Sequence, residues 1–261
     1  MSGGGGSPPG DDNDDDDETV GLNPPRNVDQ EILNCFSSVG LLVDTSSLTF
    51  NQRRNLANYL RSDNNDEPFD FSGTNCSDPE ALMKAYLIYQ AMIEGGDVNF
   101  EDLIYVLENE QEYTDWMSND EKNLFLTLNK SEQLLYLASA KHALDETENR
   151  YLTLCERYNG KGDAFRHAYW NALSSSRIGV GLTNLLTTRH ENKPPEYPYH
   201  WKENEMDLFN NRVGRDIIAN GSTNILQDLQ DAINNGNLRY LNNQGSNCFA
   251  TFSSQLTPTN Q

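Results

Sequence analysis

Between Ser77 and Ile233 the chain is punctuated by helix-start signals, and these constrain its fold more than any other feature. Ser77-Asp-Pro-Glu places a capping Ser77 or Asp78 ahead of Pro79 and Glu80, where proline suits the first turn and an acid meets the positive end of the helix dipole. Ala81, Leu82, Ala85, Tyr86, Tyr89 and Met92 follow as one apolar stripe that stops at Gly95-Gly96. Asp97 or Asn99 caps a second helix through Leu107, and Ser118-Asn-Asp-Glu opens a third. Asn129-Lys-Ser-Glu-Gln opens a fourth, which runs through Leu134, Leu135, Leu137, Ala138 and Ala140 towards Tyr151. Further helices are read from Lys161 to about Ile178, from Glu203 or Asn204 to Ile218, and from Thr223 to Ile233. Arg189 to Lys202 is a proline-rich loop, and no repeat of fixed period is evident. The expectation is a mainly all-α, helical bundle-like domain with an irregular N-terminal segment.

Residues 1–26 form a leader that cannot build a core: Gly-rich, then acidic at seven of the eight positions from Asp11 to Glu18, then Pro24-Pro25. Residues 27–130 read as an N-terminal, mostly helical region. It holds a short helix near Asp29–Phe36, an apolar run Gly40–Asp44 that suits a strand or a helical turn, helical spacing from Asn51 to Leu60, and a loop beginning at Ser62. Residues 131–242 carry the motifs described below, and 243–261 read as a polar, loosely specified tail.

The 261 residues hold 40 acids against 19 bases, a formal charge of −21. Such a field repels phosphate backbones and anionic bilayers, so nucleic acid is not an expected partner. No apolar run is long enough for a transmembrane helix. Cys35, Cys76, Cys155 and Cys248 lie in no C-x-x-C pair; they allow two disulfides in three pairings, or four free thiols.

Three stretches place polar residues where the pattern otherwise reads as buried. In Gly160-Lys-Gly-Asp-Ala-Phe-Arg-His-Ala-Tyr-Trp-Asn-Ala, residues Asp163, His167 and Asn171 follow at i, i+4 and i+8 on one helix face. Asp163 also suits a helix start. His190-Glu191 precedes the proline loop, where the pair can converge on one ion or water. In Met206-Asp-Leu-Phe-Asn-Asn-Arg-Val-Gly-Arg, residues Asp207, Asn210 or Asn211, Gly214 and Arg215 keep helical spacing, and Gly214 marks a close approach, most simply a tight helix crossing. His167, His190, Glu191 and Asp207 are the expected ligands of a divalent metal, with zinc or manganese suiting the imidazole and carboxylate mixture better than calcium. Glu191 is alternatively the general base of metal-assisted hydrolysis, and Arg166 and Arg215 are candidates to hold a substrate anion. Against this stands a plainer reading in which the same buried groups satisfy one another. His142 and His200 read as surface or packing residues.

The three stretches together resemble an uncharacterised bacterial domain family with a G-D-A-x-R-H-A-x-W-N-A helix, an H-E pair and an M-D-x-x-N-N-x-x-G-R helix in that order. Its members occur in exported proteins, lipoproteins and toxin-like modules. The resemblance spans about Leu134 to Ala219 and marks Asp163, Arg166, His167, Trp170, Asn171, His190, Glu191, Asp207, Asn210, Asn211, Gly214 and Arg215 as the positions that matter, without supplying a reaction. A weaker likeness to small bacterial phospholipases A2 ends at Arg166-His167, because Ala168 stands where those enzymes have Asp. The Gly/Ser/Asp leader also resembles the tether behind the lipid-bearing cysteine of bacterial surface lipoproteins. That implies export and a lipid anchor in a precursor, the alternative being a cytoplasmic protein with an acidic tail.

Two functional expectations result. One is an exported metal-dependent hydrolase of an ester, phosphodiester or lipid. The other is a non-catalytic binding or assembly module of the cell surface, whose protein partner meets residues 27–130.

Overall fold

The structure, a computed structural model, describes residues 27–61 and 75–261; the leader and the loop read from Ser62 lie outside the described residues. Helices follow in the order α1 (Val28–Ser37), α2 (Phe50–Arg61), a 3-10 turn (Asn75–Ser77), α3 (Pro79–Gly95), α4 (Phe100–Glu108), α5 (Glu110–Trp116) and α6 (Asn119–Phe125). Then come α7 (Lys130–Arg150), α8 (Leu154–Arg157), α9 (Lys161–Ile178), α10 (Val180–His190), α11 (His200–Ala219) and α12 (Ile225–Asn234). Two short strands, β1 (Arg239–Leu241) and β2 (Leu256–Pro258), pair antiparallel with Tyr240 opposite Thr257. The architecture is mainly all-α, as the capping pattern predicts. Among the described residues no helix is long and apolar enough to cross a membrane.

The expected caps form. Asp78 accepts from the Glu80 N–H ahead of α3, and Asn99 from Glu101 ahead of α4. Ser118 accepts from Glu121, and Asn129 closes a reciprocal capping box with Glu132. Each satisfies a donor the first turn leaves orphaned, which contributes about 1 kcal/mol per helix.

One apolar cluster runs from Ile32 to Leu238. Its axis is α9, buried at every position from Gly162 to Ser175 except Arg166. Helices α7 and α11 flank α9, and α10 and α12 pack against it as well. The α9–α11 crossing is close because position 214 is glycine: a Cβ there would overlap the backbone carbonyl of Ala168. Gly214 thus serves the tight crossing that the sequence suggests.

Several elements differ from the sequence reading. Helices α5, α8 and α10 were not anticipated. In α10, Gly181 and three threonines give weak helical propensity, and only Thr183, Leu186 and Thr187 are buried; the helix owes its existence to docking on α9, α11 and α6. Gly40–Asp44 is neither strand nor helix but irregular chain, tied down where the Asp44 N–H donates to the Tyr89 hydroxyl (2.9 Å). The C-terminal tail is ordered. Lys202 Nζ donates to the carbonyls of Thr251, Phe252 and Ser254 (3.0, 2.9 and 2.7 Å), and Met206, Leu241 and Ala250 form a second small core. The polar side chains of the tail satisfy backbone groups, a use that composition does not reveal.

Both disulfides form. Cys35–Cys76 links α1 to the 3-10 turn, and Cys155–Cys248 ties α8 to the C-terminal segment, with Cα–Cα distances of 5.3 and 4.9 Å. This resolves the three open pairings in favour of one, and no cysteine is free.

Candidate functional site

A helix buried on all sides must find partners for its polar residues without water. Asp163 lies in the first turn of α9, and its Oδ2 accepts the backbone N–H of Asn159 at 2.7 Å. Asn159 adopts the left-handed conformation (φ 60°) that an asparagine tolerates, and its side-chain amide donates to the carbonyl of Cys248 (3.0 Å) and to Glu203. The entrance to α9 is thereby fastened to the second disulfide.

One turn further, His167 is 3% exposed. Its Nδ1 lies 3.2 Å from Asn211 Oδ1 and 3.6 Å from Glu191 Oε1. Both neighbours accept hydrogen bonds, so the network assigns the imidazole proton to Nδ1. Its Nε2 lies 3.5 Å from Asp163 Oδ1 and 3.4 Å from Asp207 Oδ1, with the Arg166 guanidinium 3.1 Å away and also bound to Asp163. Burial, aided by Arg166, pushes the His167 pKa down to about 4, so the ring is neutral near pH 7. Burial raises the Asp163 carboxyl, but Arg166, His167 and the Asn159 N–H outweigh it and hold the group below its ordinary value. At Asp207 the Arg166 charge pulls downward too, but it is outweighed. Burial, then Glu191 and Asp163, push it well above the ordinary carboxylate range, and its buried Oδ1 makes no hydrogen bond.

Asp163, His167 and Asp207 each offer a ligand atom within 4.8 Å of the other two. His167 and Asp207 belong to the ligand set read from sequence; Asp163, assigned there a supporting role, is the third member. The other two expected ligands sit elsewhere. Glu191 accepts from Asn211 Nδ2 (3.0 Å) and stands on the Nδ1 side of His167, near the Asp163–His167–Asp207 group but not one of its three members. His190, the last residue of α10, directs Nδ1 to Glu121 Oε2 (2.7 Å), and its ring meets Trp170 edge-on with centroids 5.1 Å apart. Docking of α10 against α6 carries this imidazole to another partner.

Arg215 is no substrate clamp. It is buried and donates to Asn171 Oδ1 (2.8 Å) and Thr187 Oγ1 (3.2 Å). Thr187 Oγ1 donates to the same Asn171 oxygen (2.8 Å), and Asn171 Nδ2 donates to Asn211 Oδ1 (2.6 Å), so α9, α10 and α11 are cross-linked by one buried polar chain. Asn210 pairs with both backbone groups of Arg239 and pins β1 to α11. Of the two arginines, only Arg166, whose side chain is 30% exposed, reaches open space.

That space is a cavity of about 350 Å³ bounded by α4, α5, α6, α7, α9 and the end of α10, with Arg166, Trp170 and His190 in the wall nearest the carboxylate cluster. Glu121, also in this wall, is 1% exposed and is held by the Tyr136 hydroxyl (2.8 Å) as well as His190. Sequence reasoning missed Glu121. Its signal was the Ser118-x-x-Glu spacing of a capping box, in which the glutamate turns to His190 instead of back to the Ser118 N–H. Asn159, Thr187 and Glu203 were missed too, and as single polar residues they gave no signal.

The fold and site define an all-α domain built around one buried, polar-faced helix. Residues 124–237, from the end of α6 through α12, match the family model described as "Domain of unknown function (DUF6973)". No curated protein and no solved structure matches the chain.

Proposed function

We propose that this protein is an exported, divalent-cation-dependent hydrolase in which Asp163, His167 and Asp207 supply the protein ligands. The carrying observation is the convergence of their three ligand atoms within 4.8 Å, one of them the buried, unpartnered Oδ1 of Asp207. One imidazole and two carboxylates suit zinc or manganese and leave positions for water. The assigned tautomer supports this, since Nδ1–H faces Asn211 and Glu191 while the Nε2 lone pair is directed at the cluster. Held by Asp163, His167 and Asp207, such a cation would supply an acidified water as the nucleophile at neutral pH. Arg166 is placed to turn from Asp163 towards the cavity and hold the anion that develops on a substrate carbonyl. His190, oriented by Glu121, is the proton-transfer group on the cavity side. Two disulfides and the Gly/Ser/Asp leader support export to an oxidising compartment.

Elemental analysis of freshly purified protein, followed by calorimetric titration with zinc and manganese, tests the reading. Stoichiometric metal that disappears in His167→Ala and Asp207→Asn is expected, with loss of p-nitrophenyl ester hydrolysis in both. Substoichiometric metal and an unchanged affinity in His167→Ala would sink it.

One observation favours the second reading, a non-catalytic binding or assembly module of the surface. The Arg166 guanidinium already bridges Asp163 and His167, so an internal cation balances part of the cluster. On that reading a lipid anchor holds the precursor, residues 27–130 meet a protein partner, and the purified protein carries no metal.

A further inference from the structure

The cavity between α5, α7 and α9 has a chemistry of its own. Its walls carry Tyr105, Tyr113, Trp116, Met117, Leu137 and Leu144, and its 350 Å³ falls at the lower end of the roughly 300–1,000 Å³ typical of small-molecule sites. Three of these, Tyr105, Trp116 and Leu144, are exposed and mark the mouth, whereas Trp170 is 6% exposed and belongs to the floor. The indole Nε1 of Trp170 is buried and has no acceptor. Trp170 stands at i+4 from Arg166 on α9, so the two side chains line the inner wall from one helix face, with the Arg166 guanidinium as its accessible donor. The remaining lining charges are mostly acidic: Glu112, Asp145 and Glu148 near the mouth and Glu121 inside, against Lys141 and Arg166.

We infer that this cavity binds the acyl chain of a neutral ester, with the ester carbonyl at the Arg166 guanidinium. The apolar, aromatic walls select a hydrocarbon chain; the part-exposed Arg166 guanidinium supplies a donor for a carbonyl; and a lining with more carboxylates than cations, two of them already paired with Lys141 and Arg157, disfavours an anion such as a phosphodiester. This narrows the substrate class of the hydrolase proposed above and rests on that reading for the fate of the ester, but binding itself needs no cation. Arg166 touches both the Asp163–His167 cluster and the cavity, so the carbonyl of a bound ester lies next to the cation site.

The test is a tryptophan-fluorescence titration of the full chain, ion-free and zinc-loaded, with methyl hexanoate, methyl octanoate and dibutyl phosphate. Saturable binding of the esters in both states is expected, strengthening about fourfold for each added methylene, with none for dibutyl phosphate. Ala140→Phe, which fills the cavity from α7, and Leu144→Phe, which narrows its exposed mouth, should each weaken ester binding about tenfold or more while leaving zinc uptake and Tm unchanged. His167→Ala should still bind ester. Absence of saturable ester binding overturns the inference, as does binding indifferent to both phenylalanine variants or equal affinity for dibutyl phosphate. Ester binding without zinc uptake leaves the cavity assignment standing and rejects the hydrolase reading alone.

Discussion

Asp207→Asn separates a cation site from a self-satisfied network, because the two assign opposite signs to the same change. The Asp207 side chain is 14% exposed, and its buried Oδ1 lies 3.4 Å from His167 Nε2 without a hydrogen bond. A buried acceptor left unmade costs about 1–3 kcal/mol, and here Glu191 and Asp163 add like charge nearby. Asparagine keeps the shape and removes the charge. The ion-free variant should therefore match or exceed the parent's stability by up to about that amount. Zinc at about 100 times its Kd should stabilise the parent by about 2.7 kcal/mol. For a domain of this size that is a Tm rise of roughly 5–11 °C. The variant should show almost none of it. Differential scanning fluorimetry with and without zinc, against a chelator control, reads both effects. An equal zinc shift in parent and variant would refute the reasoning. So would an ion-free variant destabilised by more than about 2 kcal/mol, since that would mean the Asp207 charge already has a protein partner.

Three further outcomes are expected. His167 should stay neutral in the ion-free protein down to about pH 4; because its folded pKa lies below the unfolded value, its contribution is complete above about pH 6.5 and is lost as pH falls towards 4, up to about 3 kcal/mol, a loss that His167→Gln should lack in pH-dependent urea unfolding. Replacing both members of Cys155–Cys248, 93 residues apart, should cost about 4.6 kcal/mol and replacing Cys35–Cys76, 41 apart, about 4, so denaturation midpoints should rank the variants in that order. Gly214→Ala should destabilise by about 1–3 kcal/mol or more, because the Ala168 carbonyl it meets is backbone; a Tm within a degree of the parent would show that α9 and α11 separate easily.

The part of the site that one helix controls was readable in advance. Asp163, His167 and Asn171 share a face because a helical repeat fixes them, and Asp207, Asn211 and Arg215 follow for the same reason on α11. Positions set by contacts distant in sequence were not readable. His190 turns to Glu121, 69 residues away, because α10 docks on α6, and nothing in the weak helical propensity of Val180–His190 announces that helix. The order in residues 243–261 depends on Cys155–Cys248 and on Lys202 reaching three carbonyls, and a polar composition conceals both. Gly214 lies between: its presence in a helix signalled a close approach, and the structure supplied Ala168 as the neighbour.

Arg166 is where the two functional readings part. Its guanidinium holds Asp163 and lies 3.1 Å from His167 Nε2, so it occupies the electrostatic role that a divalent ion would take over. If the cluster is architecture, Arg166→Gln removes the only cation touching Asp163 among the described residues. A largely buried carboxylate then loses its partner, for a loss approaching the ~3–5 kcal/mol of a broken buried pair and reduced by the 30% exposure of the arginine. Zinc would not restore it. If the cluster binds a cation, the same substitution removes a competing positive charge. Zinc affinity then rises, by about tenfold for every 1.4 kcal/mol of repulsion relieved, and zinc restores the stability lost in the ion-free state. Ester hydrolysis falls even so, because the group that meets the developing oxyanion is gone. Tighter zinc with weaker catalysis is a combination the architectural reading cannot produce; a destabilised variant indifferent to zinc is one the cation reading cannot survive.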